Sequence, residues 1–90
     1  MNDLKKEKIE AFADLAHQQW SGWMIYLFEK SEGNPDGTVT IPKLAVDRWM
    51  RQIRTPYKDL TEEEKESDRQ EAIKILNIIE RSALFMERLP

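Results

Sequence analysis

The chain has 90 residues, which is the size of one small domain, and a domain this short hides only about 60 to 65% of its unfolded surface. It carries 14 Lys and Arg residues against 17 Asp and Glu residues, and the net charge of −3 argues against a broad basic face for duplex nucleic acid. With no Cys and a single His, the composition excludes disulfides, thiolate zinc sites, cysteine nucleophiles and His-rich metal sites.

Membrane and targeting signals are not recognisable in the sequence. No apolar run approaches the 18 or more residues of a membrane span, and the first residues lack the apolar centre of a signal peptide. We therefore expect a soluble, cytoplasmic protein that binds no membrane and needs no cofactor.

The first predicted element is a long helix from Leu4 to Phe28. Apolar residues recur in it at spacings of three and four, which traces one helical face. They are Ile9, Phe12, Leu15, Ala16, Trp20, Trp23, Met24 and Leu27. Asn2 and Asp3 provide the expected N-cap chemistry. The helix is expected to end around residues 31–37, a Gly/Pro loop, and residues 38–41 are β-branched with alternating polarity, which indicates a short extended segment.

A second helix is predicted after this segment. Thr40 is the expected N-cap, because Pro42 suits a first helical turn and apolar residues follow it at helical spacing. We expect the helix to end by Arg54 or Thr55, since the residue before Pro56 is disfavoured in helical dihedrals.

The third helix has the clearest start. Thr61 and Glu64 form a predicted capping box, in which each side chain accepts a hydrogen bond from the other residue's backbone N–H. Its first turns are polar, and from Ala72 an apolar stripe begins that is expected to run to Glu87. The predicted fold class is all-α: a compact bundle of three main helices that forms one domain over residues 1–90, with the loop and extended segment between helices 1 and 2.

Charge changes sign abruptly in the second half of the chain. Residues 48–58 carry four positive charges, no acid and two aromatic rings, whereas residues 59–71 carry seven acids and two bases. One interpretation is that both segments are solvated or pair with each other. The other is an anion site, because Arg48 and Arg51 share a face of helix 2 and arginine holds oxyanions through two parallel hydrogen bonds.

Helix 1 presents several rings on neighbouring faces. Trp20 and Trp23 are one turn apart, close to His17 and Tyr26. In a domain this small we expect these Trp rings to be core residues first. The alternative is that one ring stacks on a base or another planar ligand, with His17 beside it.

No catalytic set is recognisable. The lone His and the scattered Ser residues lack the motif context of a triad, and Gly33 and Gly37 do not form a phosphate loop. Glu64 and Asp68 share one side of helix 3, but a divalent metal would need more oxygen ligands from elsewhere. Asp68 and Arg69 continue the apolar stripe towards the start of helix 3, where charges must be paired, capped or used.

Residues 56–69 read Pro-Tyr-Lys-Asp-Leu-Thr-Glu-Glu-Glu-Lys-Glu-Ser-Asp-Arg, and Ala72, Ile75 and Leu76 follow. This stretch resembles the ryanodine-receptor repeat, the RyR domain of calcium-release channels and of small stand-alone proteins in bacteria and phages. Residues 13–20 are similar to the opening helix of that family with its His and Trp. Residues 31–54 have no counterpart of the Gly-Trp-Tyr-Gly stretch and Lys-x-His-Pro turn usual in the family.

The resemblance implies a helical, non-catalytic module that recognises adenine-nucleotide-like ligands. For stand-alone microbial members it implies a part in nucleotide-signalled defence or in its inhibition, as in a phage anti-defence protein. It assigns ligand binding by motif to Tyr57, Asp68 and Arg69, and through the first segment to His17 and Trp20. Arg48 and Arg51 join this set because of their local charge.

We therefore expect a binding module that recognises or sequesters a nucleotide-derived small molecule. The alternative is an acidic helical protein–protein interaction module, or inhibitor of a host protein, that uses the Glu-rich start of helix 3 and the aromatic face of helix 1. A nucleotide hydrolase, with His17 and a carboxylate as acid and base, is a third hypothesis. A homodimer or higher homo-oligomer is expected in each of the first two cases, because the C-terminal apolar residues spread over more than one helix face. They are Ile78, Ile79, Leu84, Phe85, Met86 and Leu89.

Overall fold

A computed structural model describes the backbone of residues 3–87 and the side chains of residues 3–81. It has three α-helices, α1 (Asp3–Lys30), α2 (Lys43–Arg54) and α3 (Glu62–Glu87). Two short strands, β1 (Glu32–Gly33) and β2 (Val39–Thr40), join α1 to α2, and a 3₁₀ turn (Tyr57–Asp59) precedes α3. The predicted all-α class with three main helices is confirmed. The expected cap at Asn2 lies outside the described residues, and within residues 3–87 no helix is both long and apolar enough to cross a membrane.

The segment predicted as a Gly/Pro loop is a β-hairpin, in which β1 pairs with the predicted extended segment, β2, in antiparallel register. Asn34 donates its backbone N–H to the Thr38 carbonyl at 2.8 Å, and Gly37 donates to the Asn34 carbonyl at 3.1 Å. Gly37 has a φ of 91°, which glycine adopts without a Cβ clash. The Thr38 hydroxyl donates to Asp36 at 2.6 Å, and this hydrogen bond lowers the pKa of Asp36.

The expectation that Thr40 caps α2 is wrong. Thr40 belongs to β2, where its hydroxyl accepts a hydrogen bond from the Asn34 side-chain amide at 3.1 Å. Pro42 is the N-cap instead, in extended conformation and without a side-chain hydrogen bond to the helix. The predicted end is confirmed, because α2 ends at Arg54 and the backbone of Thr55 is extended.

The predicted capping box of α3 is confirmed. The Glu64 N–H donates to Thr61 Oγ1 at 3.2 Å, and the Thr61 N–H donates to Glu64 Oε1 at 3.1 Å. Two N–H groups that the helix itself cannot satisfy are thereby paired. The start of α3 is therefore specified by four consecutive residues.

The helices α1 and α3 pack side by side in antiparallel orientation. Residues 11–18 of α1 share one groove with residues 74–81 of α3, and residues 18–27 share a cleft with residues 63–74. Leu15 and Ile78 are the buried apolar side chains among those described, and they lie on these facing surfaces. α2 crosses the end that carries the cleft, where Trp49 contacts Tyr26 with ring centroids 6.0 Å apart.

The molecule is flat and elongated. It measures 59 × 36 × 18 Å and has a radius of gyration of 18.2 Å, whereas a compact 90-residue domain has a radius of roughly 12 Å. A slab of this thickness is close to one helical layer, so each helix keeps a flank in solvent. Trp20 and Trp23 are 56% and 59% exposed. The expectations of a compact unit and of core positions for these two Trp residues are therefore wrong for the single chain.

Candidate functional site

A cleft lies between the C-terminal half of α1, the middle of α2 and the N-terminal half of α3. Its volume is about 660 Å³, within the range of roughly 300 to 1,000 Å³ that is typical of small-molecule sites. It is lined by Gln18, Gln19, Gly22, Trp23, Met24, Tyr26, Leu27, Arg48, Trp49, Gln52, Glu63, Glu64, Ser67, Asp68, Glu71 and Lys74. The three helices contribute to it through separate segments of the chain.

The apolar side of the cleft is aromatic. Trp23 and Tyr26 come from α1 and Trp49 comes from α2. Tyr26 and Trp49 meet at a tilted angle of 56°, a favourable edge-to-face geometry that joins the two helices. Trp23 lines the cleft and is also open to solvent. The cleft therefore has large planar apolar surfaces on two of its three sides.

Three Gln side chains add neutral hydrogen-bonding groups to the cleft. Gln18 and Gln19 come from α1, and Gln52 comes from α2. Each amide has both a donor and an acceptor, which is what the edge of a nucleobase requires. Gln18 donates to Asp14 at 2.7 Å, which holds its side chain along the helix surface.

The base of the cleft contains an ion pair that connects α2 to α3. Both Nη atoms of Arg51 donate to the Glu64 carboxylate, one of them to Oε1 at 3.3 Å, and the Glu64 side chain is only 8% exposed. The Arg51 guanidinium and the two Thr61 hydrogen bonds hold the pKa of Glu64 at about 2, although burial opposes this. Glu64 thus caps α3 and fixes α2 against it at the same time.

A second carboxylate on α3 lies two turns further along the cleft. Lys74 donates to Glu71 Oε1 at 3.1 Å, and hydrogen bonds from Lys74 and then Gln19 lower the pKa of Glu71. Oε2 of Glu71 is buried and accepts no hydrogen bond of standard geometry. Glu71 is therefore ionised and has an acceptor with unused capacity beside the cleft.

Two of the residues proposed from the sequence, Arg48 and Asp68, lie in this cleft on opposite sides. Arg51, which shares helix α2 with Arg48, points instead to Glu64 and forms the ion pair described above. The two arginines of α2 thus have different surroundings. Arg48 is the guanidinium available to a ligand in the cleft, and Arg51 is engaged within the chain.

The remaining predicted residues lie away from the cleft. His17 and Trp20 stack on each other on α1, with ring centroids 6.1 Å apart and planes 23° apart. Arg69 pairs with Glu62 and Glu66 on the surface of α3, at 3.3 Å in each case. The ammonium of Lys65 lies 6.0 Å from the centroid of the Tyr57 ring. The structure therefore places two of the seven predicted residues in the cleft, one in the ion pair with Glu64, and the other four away from the cleft.

Sequence reasoning did not include several residues that line the cleft. Trp49 could have been identified, because it follows the helical spacing of the apolar face of α2. Gln18, Gln19 and Gln52 have no motif, since only the packing of three helices places them together. The side chains described contain no group of three or more His, Asp or Glu residues that could hold a metal ion.

Comparisons with protein-family models, curated proteins and solved structures gave no match to this chain. The likeness to the RyR domain is therefore a likeness of short motifs.

Proposed function

We propose that the chain is a non-catalytic binding module that holds a nucleotide-derived small molecule in the cleft. One observation carries this proposal. A single cavity of about 660 Å³ contains indole rings, side-chain amides and Arg48, an arginine that forms no ion pair within the described residues. Stacking surfaces, base-edge hydrogen bonds and a phosphate contact are the three elements that nucleotide binding requires.

The base is assigned to the aromatic side of the cleft. A planar purine can stack on Trp23 or Trp49, and base–aromatic stacking is worth about 1 to 3 kcal/mol per base. Gln19 and Gln52 line the cleft from its α1 and α2 sides. The Gln52 amide can donate and accept along the edge of the base, and the Gln19 amide, which donates to Glu71, can accept through its oxygen. These contacts supply the specificity that stacking alone lacks.

The phosphate is assigned to Arg48. Arg69, the residue that the family resemblance favours, is held by Glu62 and Glu66 outside the cleft. Four carboxylates line the cleft against the two cations Arg48 and Lys74, and Lys74 is paired with Glu71. The charge balance therefore supports a ligand with a single phosphate group over one with several.

The mode of action that follows is sequestration. The hydroxyl that lines the cleft, Ser67, makes no side-chain hydrogen bond to a carboxylate or to His17 among the described residues, so the chemistry of the cleft supports holding a ligand unchanged. The motif-level resemblance to the RyR domain supports the same class of ligand, adenine-nucleotide-like molecules. Asp68 lines the cleft close to the start of α3 and is assigned to a ribose hydroxyl.

The test is a thermal-shift and tryptophan-fluorescence titration with adenosine, adenosine monophosphate and ADP-ribose. Binding to the native state at a hundredfold excess over Kd stabilises it by about 2.7 kcal/mol, which corresponds to roughly 10 to 20 °C in a domain of this size. We expect adenosine monophosphate to give the largest shift and to quench the emission of Trp23 or Trp49. A variant with Trp23→Phe and Trp49→Phe retains only Trp20, which lies off the cleft, and its emission should not respond.

Two arginine variants separate the phosphate contact from general charge. Arg48→Ala should weaken adenosine monophosphate about tenfold, the usual effect of losing one charged hydrogen bond, and leave adenosine unchanged. Arg54→Ala removes the same charge from α2 at a position outside the cleft and should change neither affinity. Absence of any shift with the three ligands, or equal effects of the two variants, would contradict the proposal.

One observation favours the alternative of an acidic protein-interaction module, namely the excess of carboxylates in and around the cleft. A basic partner side chain would then occupy the position assigned to the nucleotide. This alternative is weakened because Glu62 and Glu66 are already paired with Arg69. It predicts no thermal shift with any nucleotide and becomes the favoured function if the titration is silent.

A further inference from the structure

The single chain exposes far more surface than a folded protein of its mass. Its accessible area is 7536 Å², whereas the scaling for monomeric proteins gives roughly 5,500 Å² for a mass of 10.7 kDa. The excess of roughly 2,000 Å² lies in the range that each partner of an obligate dimer buries. Much of this exposed surface is apolar, which in a folded protein marks an interaction surface.

The exposed apolar residues of α1 follow a second line beside the packed one. Successive residues of an α-helix are rotated by about 100° around the helix axis. The second line consists of Ile9, Ala16 and Trp20, which lie roughly 100 to 140° around the axis from Leu15, the residue that faces α3. All three are exposed. Their spacings of seven and four are those of a helix–helix contact seam.

α3 carries a matching second line. Its members are the exposed residues Ile75, Leu76 and Ile79. Viewed from the N-terminus of the helix, they are rotated around its axis by roughly 60 to 160° from the buried Ile78, in the same direction as the line on α1 is rotated from Leu15. Because α1 and α3 are antiparallel and right-handed, the same rotation sense on both places the two lines on one side of the pair. We call these six residues (Ile9, Ala16, Trp20, Ile75, Leu76 and Ile79) the apolar platform.

The other side of the helix pair has opposite character. The groove there has a volume of about 800 Å³ and is lined largely by polar and charged side chains, among them Asp14, Gln18, Asn77 and Arg81. A pair with one polar and one apolar side has the patterning of half a four-helix bundle. Of the two sides, the platform side presents the continuous apolar line to solvent, so it is the one that a second layer would cover.

We propose that a second copy of this chain covers the platform, so that the α1–α3 pairs of two protomers form a four-helix bundle about a twofold axis. A helical layer needs a second layer to bury its apolar side, and a second copy supplies one of equal length. No charged residue falls on this side of α1 between Ile9 and Trp20 or of α3 between Ala72 and Ile79, so two identical surfaces meet without like-charge repulsion. The platform lies outside the cleft, so the dimer does not depend on the ligand.

The test is the mass of the full chain in solution by light scattering, with two matched variants. Ile79 and Ile73 are the same residue on the same helix with similar exposure, 51% and 47%, but Ile73 lies off the platform. We expect the wild-type chain to have twice its 10.7 kDa mass at micromolar concentration, Ile79→Glu to be monomeric, and Ile73→Glu to stay dimeric. Circular dichroism confirms that each variant keeps its helices.

A second readout uses Trp20, which is exposed in the single chain. In a variant with Trp23→Phe and Trp49→Phe, its emission should shift to the red on dilution as the dimer dissociates. A monomeric wild-type chain would overturn the proposal, and so would a dimer that both Glu variants disrupt equally. Assemblies of more than two copies of the chain would also overturn it, because a twofold interface is satisfied by two copies.

Discussion

Replacing Glu64 with Gln should change how the stability of the protein depends on pH. Gln at this position can still complete the capping box with Thr61, because its amide oxygen accepts the same hydrogen bond, but it cannot form the ion pair with Arg51. The variant isolates the charge of Glu64 from its capping function. At pH 7 we expect Glu64→Gln to melt at a lower temperature than the wild type.

The size of the effect follows from the pKa. The pKa of Glu64 falls from 4.5 to about 2 on folding, chiefly through the Arg51 hydrogen bonds. A lowered pKa means that its contribution to stability is complete above pH 4.5 and is lost as the pH falls through 2. Near pH 3.2 the wild type should take up about 0.9 more protons on unfolding than the variant, because the unfolded carboxyl is then almost fully protonated and the folded one is almost fully ionised.

The assay is urea or thermal unfolding followed by circular dichroism, at intervals from pH 7 to pH 2. The stability curves of wild type and Glu64→Gln should converge as the pH falls below 4.5. Glu63→Gln removes a charge from the same turn but not the ion pair with Arg51, and it serves as the matched control. Curves for Glu64→Gln that stay parallel to the wild type down to pH 2.5 would refute the assignment of Arg51 as the dominant influence.

Three further predictions test the fold by thermal melting. Leu15→Ala removes a buried side chain between α1 and α3 and should lower the free energy of unfolding by about 2 to 5 kcal/mol. Its control, the exposed Leu44→Ala, should change this free energy by less than about 0.5 kcal/mol. Equal effects would mean that Leu15 is not a core residue. Gly37→Ala forces a Cβ into a left-handed turn and should cost about 1 to 2 kcal/mol, and a loss no greater than that of Gly33→Ala would count against this turn. Thr61→Ala removes the cap of α3 and should cost about 1 kcal/mol, with Thr61→Ser restoring most of it; a neutral Thr61→Ala would show that the capping box does not stabilise the helix.

The elements that could be predicted from the sequence are those with a local cause. The start of α3 depends on residues 61–64 alone, and the end of α2 follows from the proline at 56. The hairpin was missed in part because β1 is the dipeptide Glu-Gly, which has no strand propensity of its own. Its pairing comes from the Asn34 and Gly37 turn, whose Gly, Pro and Asn residues are equally typical of an open loop.

The exposure of the Trp rings and the position of the cleft could not be predicted in the same way. Periodicity on α1 identifies a wide apolar stripe, but it does not say which edge of the stripe packs on α3 and which edge, with Trp20 and Trp23, stays in solvent. The cleft combines residues 18–27, 48–52 and 63–74, and no local pattern joins these segments. Arg48 and Asp68 were identified through charge and stripe position, whereas the Gln residues depend on tertiary packing alone.

The proposed function depends on the cleft, and Gly22 gives the most direct access to it. Gly22 lines the cleft within α1, and no atom beyond its own stretch of helix lies within 4 Å of the place where its Cβ would stand. Gly22→Phe should therefore fold and fill part of the cleft, whereas Gly22→Ala adds one methyl group and stabilises the helix by about 1 kcal/mol.

The measurement is calorimetric titration of adenosine monophosphate into the wild type and these two variants. We predict binding by the wild type and by Gly22→Ala, and at least a tenfold loss of affinity in Gly22→Phe with its helix content unchanged. Undiminished binding by Gly22→Phe would place the ligand outside the cleft, and no binding by the wild type would contradict the nucleotide-binding function itself.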